Sequence, residues 1–215
     1  MKHVVREYKT QKALAHRNII KVTDVIVLND ECIVSILELC NGRDLAEQLK
    51  RQQRLLEKDA KIIVRQILAA LSYMDGLPSK IIHYDLKPQN ILFHDGVVKL
   101  ADFGLCKIVD SADTRIELTS QGSGTYWYLP PETFDNSPKI SNKVDIWSIG
   151  VIFYEMLFGR RPFGHGMSQN KIFHEGIISS AKKVEFPSEP QISAQARDFI
   201  CGCLKYSQEQ RLSVS

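Results

Sequence analysis

Apolar and polar positions along the chain change period several times, and each change marks an element. Residues 1–15 place Glu7, Gln11 and Leu14 on one helical face, with Val4 and Tyr8 close by and no Gly or Pro between, which predicts a helix. Two β-type runs, Ile19 to Leu28 and Cys32 to Leu39, meet at Asn29-Asp30 as a hairpin does. Cys40-Asn41-Gly42 breaks that pattern, and helical spacing resumes over Asp44 to Arg51. Ile63, Ile67, Ala70, Leu71 and Met74 then line one face of a long helix over Asp59 to Met74. Ile81-Ile82 reads as a short strand, followed by a second hairpin, Ile91-Leu92-Phe93 with Val97-Val98-Lys99-Leu100, turning at His94-Asp95-Gly96. Residues 105–129 are rich in Ser, Thr and Gly and poor in core candidates, which predicts a mobile loop. Ser141-Asn142-Lys143 caps a helix whose run from Ile146 to Phe158 is apolar nearly all round, so its place is the centre of a helical domain. Further helices are expected over Gln169 to Ser179 and Ser193 to Leu204. The predicted class is α+β: a short strand-bearing piece followed by a mainly helical lobe.

Composition narrows the partners. The 215 residues, 44% of them hydrophobic, suffice for a sizeable core. Basic residues number 28 against 25 acidic, and the two signs are interspersed, so nothing in the net charge of +3 demands nucleic acid or an anionic membrane. Arg160-Arg161 and Lys182-Lys183 read as solvated surface, with contact to an acidic peptide as the sharper alternative. Five cysteines at irregular spacing argue against a disulfide framework. The first residues lack the apolar core of a signal peptide, and the run from Ile146 to Phe158 is too short for a bilayer and broken by Ser148, Gly150 and Glu155. Secretion is therefore not expected.

Candidate chemistry concentrates in His83-Tyr84-Asp85-Leu86-Lys87-Pro88-Gln89-Asn90 and, beyond the second hairpin, in Asp102-Phe103-Gly104. Asp85 can accept a hydroxyl proton, Lys87 can neutralise a phosphoryl oxygen, and Asn90 with Asp102 can hold a hard cation. The predicted hairpin sets the distance between Asn90 and Asp102. Together these two segments resemble the catalytic and magnesium loops of the eukaryotic protein kinases. Three more segments extend the likeness: Gly124-Thr125-Tyr126-Trp127-Tyr128-Leu129-Pro130-Pro131-Glu132, Asp145-Ile146-Trp147-Ser148-Ile149-Gly150, and Arg211, placed to pair with Glu132.

The resemblance implies a protein-kinase-like fold divided at a hinge over 38–41. Residues 1–40 would form a truncated, β-containing N-lobe, and residues 41–215 a helical C-lobe with a catalytic loop at 83–90 and an activation segment at 102–132. It implies transfer of the ATP γ-phosphate to Ser or Thr of protein substrates with ATP and Mg2+, since a lysine two positions after the aspartate is the serine/threonine pattern. Asp85 becomes the base, Lys87 the γ-phosphate partner, Thr125 the support of both, and Asn90 and Asp102 the magnesium ligands. Leu37 resembles the gatekeeper, Glu38 to Cys40 the adenine-binding hinge, Asp44 the ribose contact and Leu92 the apolar floor beneath the base. Glu7 stands where a helix glutamate pairs with the family's strand lysine.

His83-Tyr84-Asp85, where most kinases place Arg in the middle, together with Glu117 to Gly122, Gly124 to Glu132 and Ile140 to Asp145, is similar to the tousled-like kinases. Those are nuclear serine/threonine kinases of the chromatin-assembly machinery, which implies a nuclear, or else cytoplasmic, protein with chromatin-assembly factors among its partners and no direct nucleic-acid contact. With Tyr84 in place of Arg, a phosphate at Ser111, Thr114, Thr119, Ser120 or Ser123 needs another cation. The family's glycine-rich phosphate loop and its V-A-I-K-like strand do not occur in the sequence. The chain is therefore expected to be a fragment, beginning just after that lysine and ending short of the last helix, and weakly active or inactive as given. The alternative reading is a non-catalytic scaffold that binds protein partners through the C-lobe.

Overall fold

The computed structural model describes residues 11–28, 33–109, 115–118 and 124–214. Strands β1 (Val22–Val27) and β2 (Ile33–Leu37) come first, then helices α1 (Leu45–Gln52) and α2 (Glu57–Asp75). Next are β3 (Lys80–Ile82), β4 (Ile91–His94), β5 (Val97–Leu100), β6 (Lys107–Val109) and β7 (Ile116–Glu117). The chain closes with β8 (Lys139–Ile140) and helices α3 (Lys143–Phe158), α4 (Gln169–His174) and α5 (Ala194–Cys203). The strands form antiparallel pairs β1–β2, β3–β6, β4–β5 and β7–β8.

Helix α3 is the axis of the molecule, as its apolar circumference predicts. From Val144 to Leu157 every residue except Glu155 is buried. α2 lays Ile63, Ile67, Ala70, Leu71 and Met74 into the same core, each large side chain worth roughly 1.5–3 kcal/mol on burial. α5 crosses α3 so closely at Gly150 that an added Cβ would stand 2.6 Å from the Cβ of Cys203. An alanine there gains about 1 kcal/mol of helix propensity but forces the helices apart, which costs more.

The amino-terminal part is tied to this core by a short backbone seam. Ile20 donates to the Leu100 carbonyl at 2.9 Å and Leu100 donates to Asn18 at 2.9 Å. The buried Asn18 amide donates in turn to Val98 O and to Gln66 on α2. Of the helix expected over 1–15, residues 11–13 are helical and 1–10 lie outside the described residues, as do 29–32 at the expected hairpin turn.

Two expectations need correction. Residues 105–129 are not wholly loop: β6 pairs with β3, Ile81 facing Ile108, and β7 pairs with β8, Ile116 facing Ile140. Val109 and Leu118 are buried, because strands distant in sequence supply the partners that local composition does not reveal. Helix α4 ends at His174 rather than Ser179, since the chain reverses at Gly176 in the left-handed region, φ 60°. At the start of α3 the Asn142 amide donates to Asp75, and the cap contact comes from Ser141 Oγ, which accepts from Lys143 N at 3.3 Å.

Candidate active site

The β4–β5 hairpin turns at Asp95-Gly96, both at positive φ, as an Asp-Gly turn does. Its register sets Ile91 against Leu100, and the pairing continues one step further, with Ala101 N–H donating to the Asn90 carbonyl at 2.9 Å. Asn90 and Asp102 are thereby brought to one end of the hairpin.

The loop before it is fastened by buried groups. Asp145, in the first turn of α3, accepts His83 N–H on Oδ2 at 2.8 Å and Tyr84 N–H on Oδ1 at 2.9 Å. Burial pushes its carboxyl up to about 7, against the pull of those two donors. The pair holds Tyr84 at φ 69°, a left-handed conformation that costs a non-glycine residue about 1–3 kcal/mol and survives only where its surroundings over-determine it. Buried His83 has its pKa pushed down to about 4 by desolvation, so the ring is neutral and its Nε2–H donates to the Ala101 carbonyl at 3.1 Å. The same ring lies 4.7 Å from that of Phe103, which is itself buried.

Four side chains converge within this frame. Asp85 Oδ2 accepts from Lys87 Nζ at 2.5 Å and from Asn90 Nδ2 at 3.2 Å. Thr125 donates its hydroxyl to Asp85 Oδ1 at 3.2 Å and lies 3.3 Å from Lys87 Nζ. Asn90 Nδ2 also donates to the Asp85 carbonyl at 2.9 Å, which leaves the amide oxygen as the end suited to a cation. Asp102, exposed and at φ 60°, accepts Gly104 N–H on Oδ1. A carboxylate and an amide oxygen are ligand types that suit Mg2+, which keeps water and phosphate oxygens as its other ligands.

The stretch from Tyr128 to Glu132 is anchored by buried groups. Glu132 receives a bidentate pair from Arg211 at 2.8 and 3.0 Å, both residues buried, and the guanidinium also donates to Lys205 O and Lys143 O. Ser148 on α3 donates to Tyr128 O at 2.8 Å, and Tyr128 OH to Glu155 at 2.6 Å.

The profile of the protein kinase domain family matches residues 1–215. The chain belongs to that family. The serine/threonine-protein kinase TOUSLED of Arabidopsis thaliana is 50% identical over 100% of this chain, which covers 32% of that protein. Serine/threonine-protein kinase tousled-like 2 of Xenopus tropicalis is 47% identical over 99% of the chain and 32% of its own length. Tousled-like 1 of Homo sapiens is 48% identical over 99% of the chain and 29% of its own length. The kinase domain described here thus spans about a third of these relatives.

The residues anticipated for nucleotide contact lie along the segment from β2 to α1 and on β4, with no hydrogen bond or ion pair to Asp85 or Lys87 among the described residues. Leu37 is 40% exposed at the end of β2. Glu38 accepts from Lys99 Nζ and from Lys21 N–H, each at 2.8 Å. Burial alone would raise its carboxyl, but these two donors hold it below the ordinary value. Cys40 is half-buried, its thiol pushed up by burial. Asp44 caps α1, accepting Glu47 N–H at 2.8 Å, and Leu92 is half-buried on β4. Gly42 donates to Phe93 O at 2.9 Å, and a Cβ at Gly42 would stand 2.6 Å from that oxygen, so the chain can pass this close to β4 only with glycine there. Glu7 lies outside the described residues, as do Ser111, Thr114, Thr119, Ser120 and Ser123.

Two features escaped sequence reasoning. The Glu38–Lys99 pair joins residues far apart in the chain and carries no local signal. Tyr84 was visible as a departure from Arg, but its destination was not: it packs with Ile82, Val109, Leu118, Leu129, Ile140 and Val144 under the activation segment.

Proposed function

We propose that this domain transfers the γ-phosphate of ATP to Ser and Thr hydroxyls of protein substrates, as a serine/threonine kinase of the tousled-like group. The observation that carries the proposal is the Asp85 carboxylate, 6% exposed and held by Lys87, Asn90 and Thr125 at 2.5 to 3.2 Å. A carboxylate so oriented takes the acceptor hydroxyl's proton as that oxygen bonds to the γ-phosphorus and the bond to the β–γ bridging oxygen breaks, releasing ADP. Lys87 presents its ammonium to the transferring phosphoryl oxygens. Thr125, bonded to both, fixes their separation. Asn90 and Asp102 would hold Mg2+, which supplies positive charge against the phosphates.

The nucleotide side follows the same reading. Residues 1–40 form the N-lobe side and 41–215 the C-lobe. Backbone groups of Glu38 to Cys40 meet the adenine, Leu37 and Leu92 flank it, and Asp44 offers its carboxylate to the ribose. Glu7 is the intended partner of a strand lysine. Nuclear location and chromatin-assembly factors as partners rest on the likeness to tousled-like kinases. Among the described residues no helix is long and apolar enough to cross a membrane. The test is labelled-phosphate transfer from ATP with Mg2+ onto Ser/Thr peptides. Asp85→Asn is expected to lower transfer by about 10²–10⁴-fold at unchanged melting temperature. Retention of full transfer by that variant would remove Asp85 as the base.

A further inference from the structure

A groove of about 630 Å³ opens beside the catalytic loop and runs between α1 and the carboxyl end of α3. Its floor includes Pro88 and Gln89, one and two residues past Lys87, and Tyr128, three residues past Thr125. A peptide whose hydroxyl reaches Asp85 therefore has neighbouring residues within reach of this groove. Its charges are unequal. Lys50 and Arg54 line it, both on exposed positions, against a single carboxylate, Glu155. Glu155 is already engaged, since its Oε2 accepts Tyr128 OH at 2.6 Å and it lies in the field of Arg161. Arg161 itself stacks 4.2 Å from the centre of the Trp127 ring, in the same segment that carries Thr125. Gln53 and Gln89 complete the polar lining and bring no charge.

We propose that this groove selects protein substrates bearing an anionic side chain, a carboxylate or a phosphate, a few residues from the acceptor hydroxyl. Lys50 and Arg54 are the specificity-determining residues. The inference rests on the kinase reading of Asp85 but concerns recognition rather than transfer. Two exposed cations attract an anion weakly one at a time and usefully together, and the attraction falls with salt.

The experiment measures binding by fluorescence anisotropy at low salt, using Asp85→Asn chain so that no turnover intervenes. The probes are Ser peptides of one length whose flanks carry Glu, Gln, Arg or phosphoserine. The Glu and phosphoserine peptides are expected to bind on the order of 5–10-fold tighter than the Gln peptide, with the advantage gone at 0.5 M salt. Lys50→Glu with Arg54→Glu is expected to abolish or invert the order, with the melting temperature unchanged because both positions are exposed. A larger gain for phosphoserine than for Glu assigns the subsite to a phosphorylated partner, and equal gains assign it to acidic sequence. Equal binding of the Gln peptide, tighter binding of the Arg peptide, or an order that survives the double charge reversal would overturn the proposal. Full phosphate transfer by the Asp85→Asn chain with the binding order intact would sink the reading of Asp85 as the base and leave this one standing.

Discussion

The loop 83–90 and the β1–β2 hairpin are both short and irregularly flanked, yet they are held in opposite ways. Around the loop, Asp145, His83 and the Glu132–Arg211 pair are buried and hydrogen-bonded to one another or to backbone, and buried Phe103 packs on the His83 ring. On the hairpin, Ile26, Val34, Ile36 and Leu37 are exposed at 40% or more, and Leu39 beyond it is 85% exposed. A left-handed Tyr84 is affordable where the core fixes its neighbours from several sides. Among the described residues the hairpin is joined to the rest at its base, through the Ile20–Leu100 backbone seam and through Lys21, Glu38 and Lys99. Burial and side-chain bonding among the described residues are therefore concentrated around Asp85 and Lys87, the residues proposed for transfer, and are sparse on the hairpin.

Substitutions can break or sharpen that contrast. The largest effect is expected from Arg211→Ala, which leaves Glu132 as a lone carboxylate in the core. Stability should fall by about 3–5 kcal/mol in denaturant titration, and a loss under 1 kcal/mol would show the segment to be held by packing alone. Next comes Tyr84→Arg, which restores the residue most kinases carry but puts its charge among Ile82, Val109, Leu118, Leu129, Ile140 and Val144. A loss of roughly 2–4 kcal/mol is expected, and a neutral result would mean that the cluster opens readily.

Glu57→Gln should cost about 1 kcal/mol at neutral pH, because Glu57 Oε2 accepts Ser193 N–H at 2.8 Å and its Oε1 contacts Lys61 and the Ser193 hydroxyl. The bonds from Lys61 and Ser193 lower its pKa from 4.5 to about 2. The folded chain then binds fewer protons than the unfolded one below pH 4.5, so the advantage over Gln should fade as pH drops from 4.5 to 2. A pH-independent gap would assign the effect to geometry rather than charge. The smallest effect is expected from Ile36→Thr on the exposed hairpin face, within about 0.5 kcal/mol by thermal melting. A loss above 1 kcal/mol would show that this face is covered in solution.

Much of the site was legible because its chemistry resides in residue types at fixed short spacing. Asp85, Lys87 and Asn90 belong to one loop, and an Asp-Gly hairpin of set length carries Asp102 back beside Asn90. The central place of α3 was legible for a similar reason, since a helix apolar on every side can only be surrounded. Segment 105–129 was misread because polar composition says nothing of a distant strand that will pair with it. Its pairings, β6 on β3 and β7 on β8, join residues about 25 apart in sequence.

Sequence alone named the groups proposed for the chemistry, because proton acceptance, charge neutralisation and cation binding follow from functional groups and local spacing. Only the tertiary structure decided how those groups are held. Asp145 reaches back 61 and 62 residues to fix Tyr84 and His83, Arg211 reaches 79 to Glu132, and Lys99 reaches 61 to Glu38. Each such bond depends on burial and on the crossing of elements around α3, quantities that no window of neighbouring residues contains.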